Sequence, residues 1–134
     1  NKGATGVDNI SITVNAEVVN QKPVADAGTN QVINLPANST TLTGLGSDTD
    51  GSIASYFWEK VSGPTVTFTS AQTLSSVSVT NLLAGTYTFQ LTVTDNKGAT
   101  ATDQTQVVVI AANQSPTAIA GADINLTAPT SATN

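Results

Sequence analysis

The chain has no cysteine, histidine, methionine or arginine. Without cysteine there is no disulfide framework, and the redox compartment leaves no mark on the sequence. Without histidine or cysteine, neither a Ser–His nor a Cys–His nucleophile can be assembled within the chain. A zinc site of the usual His/Cys type is excluded in the same way. Positive charge is scarce: Lys2, Lys22, Lys60 and Lys97 stand against nine acidic residues, for a net charge of −5. A nucleic-acid binder needs a basic face to neutralise phosphates, and four lysines cannot build one. No apolar run approaches the ~20 residues that span a bilayer, and no basic-then-apolar start of signal-peptide type is present. Aromatics are few, and Trp58 is the single tryptophan.

What is abundant is Thr, Ser, Val, Asn and Ala. β-Branched residues fit a pleated surface, and Asn, Asp and Gly make turns. The stretch TYTFQLTVTD at 86–95 alternates cleanly, with Tyr87, Phe89, Leu91 and Val93 on one face, which predicts a half-buried strand. Val77 and Val79 point inward from SVSVT at 76–80, and Val66 and Phe68 from PTVTFTS at 64–70. IASYFWEK at 53–60 places Ala54, Tyr56 and Trp58 on one face and Phe57 on the other. TQVVVI at 105–110 is apolar on both faces. Its counterpart ISITVNAE at 10–17 alternates, and that frame puts Val107 and Val109 inward. Gly- or Asx-rich turns separate these runs, and no helical period is present. About seven short strands with a tryptophan on a middle one predict an all-β fold, an immunoglobulin-like two-sheet sandwich, with Leu42 joining the core.

The chain also contains itself. NKGATGVDNISITV at 1–14 matches NKGATATDQTQVVV at 96–109 at an offset of 95 residues. NQKPVADAG at 20–28 matches NQSPTAIAG at 113–121 at an offset of 93. Such a period is too long for a solenoid unit and fits tandem repeats of whole domains. The expected division is 1–19 as the C-terminal part of a preceding repeat, 20–111 as a complete domain, and 112–134 as the N-terminal part of a following one. Ile10, Ile12 and Val14 would then pack against segment 115–134 of a preceding copy, through one polypeptide or by strand exchange, as a head-to-tail array or filament.

The segments PVADAGTNQVINLP, GSDTDGSIASYFWEKVSGP and GTYTFQLTVTDNKGATATD resemble polycystic kidney disease (PKD) domains. They are most similar to the branch found in bacterial secreted proteins and near the receptor-for-egg-jelly proteins. The resemblance covers residues 22–110. One departure is clear: many PKD domains follow the tryptophan with Asp-Phe-Gly-Asp-Gly, whereas Trp58 is followed by EKVSGP. The resemblance implies a non-catalytic structural or adhesive module of a long extracellular or cell-surface protein, of bacterial origin. The alternative it implies is an accessory spacer or glycan-binding module of a secreted polysaccharide- or protein-degrading enzyme. The implied partners are neighbouring copies of the repeat and an extracellular glycan or protein.

The stretch SDTDGS at 47–52 is the candidate site. Asp48 and Asp50 read plainly as turn formers, since Asx side chains bond their own backbone. They also read as calcium ligands, because Ca²⁺ takes six to eight oxygens, often from Asp residues two apart in a loop. In an immunoglobulin-like sandwich this loop lies beside the end of the LTVTD strand and beside the chain's entry. Asp95, Asn20 and Gln21 are therefore expected nearby. The resemblance to collagenase PKD domains implies calcium here, carried best by Asp48 and Asp95 and less well by Asp50 and Asn20. A glycosidase pair is disfavoured, since a turn is a poor place to raise a carboxyl pKa by burial. Phe57, forced away from the core if Trp58 is buried, is a candidate contact residue for another copy or a glycan. Asn9, Asn38, Asn113 and Asn125 begin Asn-x-Ser/Thr sequences, which chance explains in a chain so rich in Ser and Thr.

Overall fold

The computed structural model describes residues 2–121 together with Asp123 and Asn125. Nine strands follow in order: β1 (Val24–Asp26), β2 (Gln31–Asn34), β3 (Thr40–Thr43), β4 (Leu45–Ser47), β5 (Ile53–Ser62), β6 (Thr67–Phe68), β7 (Ser76–Thr80), β8 (Gly85–Asp95) and β9 (Thr100–Ile110). One layer is the four-stranded sheet β2-β9-β8-β5, in which β2 runs parallel to β9 and the other pairs are antiparallel. The facing layer is β3-β7-β6, extended by the β1-β4 pair. Gly44 alone separates β3 from β4.

The core lies between the layers and is supplied by the period-two rows. β8 contributes Tyr87, Phe89, Leu91 and Val93, all fully buried; β5 contributes Trp58; β9 contributes Val107 and Val109. Leu42, Val77, Val79 and Leu82 close the core from the other side. Phe68 meets Phe89 edge-on at 6.0 Å, an arrangement aromatic quadrupoles favour.

Two side chains fix the layers to each other. A Cβ at Gly44 would stand 2.9 Å from the Trp58 ring and would collide with Leu91, so the indole packs directly on glycine backbone. Its Nε1–H donates to the Ser75 carbonyl at 3.3 Å. The Trp58 backbone N–H donates to the Gln72 carbonyl at 2.8 Å, and the Gln72 side-chain amide donates to the Trp58 carbonyl at 2.7 Å. The Tyr87 hydroxyl accepts from the Leu83 N–H at 2.8 Å and donates to the Leu83 carbonyl at 3.0 Å. This is the tyrosine corner of immunoglobulin-like sandwiches.

The structure departs from the sequence reading in four places. The described residues form nine strands rather than about seven, with four short ones, β1 to β4, ahead of Ile53 and only Gly44 between β3 and β4. Ala54 is exposed, not inward: a bulge between Ile53 and Ser55 shifts the register, so Ile53 packs on the core instead. Val66 is only partly buried, at the margin of the core. Residues 10–17 form no strand; Ile10, Ile12 and Val14 are 82–87% exposed, since no sheet edge lies against them and an isolated strand gains nothing from alternation. Of segment 115–134, residues 122, 124 and 126–134 lie outside the described residues.

Trp58→Ala removes the largest buried ring and is expected to cost about 3–5 kcal/mol of folding free energy. Tyr87→Phe removes two hydrogen bonds and should cost roughly 1–3 kcal/mol, from about 0.5–1.5 kcal/mol for each bond. Urea denaturation followed by circular dichroism measures both, because Trp58→Ala leaves no tryptophan to report by fluorescence. A loss under 1 kcal/mol for Trp58→Ala would contradict the described packing.

Candidate functional site

The alternating row of β8 that builds the core does not stop at Val93. Its next inward member is Asp95, which is only 2% exposed. A buried carboxylate needs donors, and Asp95 has them on both oxygens. Oδ1 accepts the backbone N–H of Lys97 and of Ala99, each at 2.8 Å, while Oδ2 accepts the Asn20 side-chain amide at 2.8 Å. The first two bonds shape the β8–β9 hairpin; the third ties the entering chain to it.

The neighbouring loop, between β4 and β5, holds the next residue of the connector. Asp50 Oδ1 accepts the Gln21 N–H at 3.2 Å, and Thr49 Oγ1 donates to Gln21 Oε1 at 3.4 Å. Lys97 closes the assembly: its ammonium donates to Asp50 Oδ2 at 2.7 Å and to the Asp50 carbonyl at 3.0 Å. The two loops are also stitched by Asn96, whose N–H donates to the Ser52 carbonyl and whose Oδ1 accepts the Ser52 N–H. Gly51 lets the two loops approach at this crossing, since a Cβ there would push aside Asn96 Oδ1 and Asp48 Oδ2.

The hydrogen bond from Lys97 is the main reason the Asp50 carboxyl lies below the ordinary value of 3.8. Burial pushes Asp95 up, but the hydrogen bonds from Asn20 and from the hairpin N–H groups outweigh it, so its pKa is also lowered. Lys97 is correspondingly raised above 10.5, first by its bond to Asp50 and then by the fields of Asp50, Asp48 and Asp95.

Asn20, Asp48, Asp50 and Asp95, the four residues expected from the sequence, are thus brought to one pole of the sandwich. They fit a divalent cation only in part. Among the described residues no group of three or more His, Cys, Asp or Glu is arranged to hold a metal ion. Asp95 already accepts three hydrogen bonds, and Asp50 already carries the Lys97 ammonium. Two oxygens point the other way: Asn20 Oδ1 and Asp48 Oδ2 are buried and have no hydrogen-bond partner. Lys97 was missed in the sequence, although NKG recurs at 1–3 and 96–98 and places a lysine at the same point of both copies. Phe57 points outward as expected and is 45% exposed, beside Thr92 of β8. A separate apolar depression of about 370 Å³ lies over Val24 and Leu45 on the β1-β4 pair.

A family model described as K319L-like, PKD domain matches residues 27–109. The chain belongs to this family. The PKD domain here is 43% identical over 135 residues to the mouse Dyslexia-associated protein KIAA0319-like protein, a match that covers 98% of this chain and 13% of that relative. The solution structure of the PKD domain from the KIAA 1837 protein superposes with a TM-score of 0.61 at 39% identity, covering 70% of this chain and 92% of the other. The crystal structure of the PKD1 domain from the Vibrio cholerae metalloprotease PrtV gives a TM-score of 0.50 at 31% identity, covering 66% and 98%. The match over nearly the whole chain is mammalian, so the expected bacterial placement is not supported by it; the bacterial domain shares less.

Both carboxylates have folded pKa values below their unfolded ones. Their contribution to stability is therefore complete above 3.8 and is lost as pH falls through the lowered values. Lys97 has the opposite sign: its contribution is complete below 10.5 and is lost as pH rises beyond it. Denaturation midpoints across the acid range should show a steep fall for the wild type and a shallower one for Asp50→Asn and for Asp95→Asn. Equal slopes in all three would remove the paired carboxylates from the account of this pole.

Proposed function

We propose that this PKD domain is a non-catalytic structural or adhesive module of a long extracellular or cell-surface protein, one of several similar domains in series. The observation that carries the reading is the internal repeat. One complete sandwich, Val24–Ile110, is flanked by sequence copies of its own last strand and of its own first segment. The acidic, cysteine-free composition suits a soluble spacer, and among the described residues no helix is long and apolar enough to cross a membrane. The array is carried by the sequence alone. Continuity through one polypeptide is the form of array proposed, because the flanking copies lie in the same sequence as the complete domain. Partners are neighbouring domains and an extracellular protein or glycan, with Phe57 as the contact residue on the open sheet.

A second reading is an accessory spacer of a secreted degrading enzyme. It is favoured by the likeness to a domain taken from a metalloprotease. Electron microscopy of the parent polypeptide separates the two. A row of like-sized beads supports the array, whereas one or two such beads attached to a larger catalytic body would overturn it in favour of the accessory role.

Calcium belongs to this proposal as a ligand of the Asp48–Asn20 pole. Its support is the pair of buried, partnerless oxygens on those two residues; bound there, it would supply fixed positive charge between connector and loop. Binding to the folded form alone stabilises by about 2.7 kcal/mol at a hundredfold excess over Kd. The expected result is a thermal midpoint that climbs through the millimolar calcium range and returns with chelator. A midpoint unmoved by calcium would leave Lys97 as the pole's sole cation.

A further inference from the structure

Asn20 and Gln21 precede the first strand, yet they are fastened to the body of the domain: Asn20 to Asp95, Gln21 to Asp50 and Thr49. The residues just before them are not. Ala16, Glu17, Val18 and Val19 are all exposed, as are Ala111 to Gln114 at the other end. The same dipeptide recurs there as Asn113–Gln114, again two residues before a proline, Pro116 matching Pro23. At that end the sheet is held to its last residue, because the Leu35 N–H donates to the Ile110 carbonyl at 3.0 Å.

We propose that Asn20–Gln21 is a clasp belonging mechanically to the domain it precedes, and that Asn113–Gln114 is the equivalent plug, seated in the Asp–Lys pole of the next copy. The inference rests on the array reading above. Its consequence is a pair of unusually short hinges. In the first junction the preceding sheet ends at Asn15, by alignment with Ile110, and the clasp begins at Asn20, so only Ala16–Val19 are free. In the second junction only Ala111 and Ala112 are free. At no more than about 3.6 Å per residue, the anchored points stand at most about 18 Å apart in the first junction and about 11 Å in the second. Neighbouring domains are then held near contact, and the second junction is the stiffer. Lys97, paired with Asp50 Oδ2 at 2.7 Å, holds that carboxylate in place as the acceptor for the Gln21 N–H.

The first test uses the intact 134-residue chain and ¹⁵N relaxation. Asn20 and Gln21 are expected to show order parameters near 0.85, as in rigid backbone, with Ala16–Val19 below about 0.6. In Asn20→Ala, a substitution outside the core, Gln21 should fall to the value of Ala16–Val19 while β8 keeps its order. Mobile Asn20 and Gln21 in the wild type, or a Gln21 that stays rigid in Asn20→Ala, would overturn the clasp. The second test joins residues 1–112 of one copy to 20–134 of another, which recreates the two-residue junction. Residual dipolar couplings should then fit one alignment tensor for both domains, and two when the second copy carries Asn20→Ala. Two tensors in the unmutated tandem would overturn the short-hinge proposal. The array reading fails on a different observation, a parent polypeptide without further copies, which leaves the relaxation result of the single chain unaffected.

Discussion

The contact between the Trp58 indole and the backbone at Gly44 sets the separation of the two layers, and most of the architecture follows from it. A side chain at position 44 would collide with Leu91 and crowd the Trp58 ring, so the ring could no longer lie flat between the sheets. With the indole seated, the β8 row from Tyr87 to Val93 meets Leu42, Val77 and Val79 at full burial. The domain has no disulfide to hold its layers together. Immunoglobulin domains place a cystine beside the equivalent tryptophan; here the same volume is filled by apolar side chains alone, and the tyrosine corner at Tyr87 fastens the short β7–β8 connection.

The polar pole is a continuation of that core rather than an addition to it. A strand places every second residue on the same face, so the row that buries Val93 must bury Asp95 as well. Desolvating a lone carboxylate is costly. The cost is offset by hydrogen bonds from the hairpin behind it and from Asn20 in front. The entering chain is thereby recruited as a donor, which is why the pole and the connector form one unit. β9 solves the same problem differently. Its inward positions near the start are Asp103 and Thr105, and they bind the backbone at Ala27 and Thr29 to hold the β1–β2 turn.

Much of this was legible in the sequence because the inward rows are long and strictly alternating. The frames of β7 and β8 and the inward Trp58 needed only the period; the inward Val107 and Val109 needed the alternating copy at 10–17, since TQVVVI is apolar on both faces. The family resemblance, carried by the same runs, agreed with the matched model over 27–109. Three things were not legible. The bulge at Ala54 adds one residue, and no glycine or proline marks it. The first part of β9 places Asp103 and Thr105 beside the small Ala101 on its inward side, so its period carries little apolar signal. The role of Lys97 depends on two loops 47 residues apart meeting at one pole, a tertiary fact that spacing does not encode. Asn20, Asp48, Asp50 and Asp95 were found because three of them are acidic and sit at turns. Their division into hydrogen-bonded and orphaned oxygens depends on where the N–H groups point.

The hook formed by Gln72 over Trp58 has a bearing on how the open margin of this sheet is protected. β5 is the outer strand of its sheet and ten residues long, and an open strand of that length is a template for a stranger's backbone. Domains of similar sequence strung on one polypeptide meet each other at high local concentration while they fold, which is the setting in which strands trade places between neighbours. Gln72 occupies both the N–H and the carbonyl of Trp58 at the middle of that margin. An incoming strand would find its ladder interrupted halfway, with too few rungs on either side to displace the native one. Fidelity of this strand to its own sheet is thus written into one glutamine, through its backbone carbonyl and its side-chain amide, beside the tryptophan that builds the core.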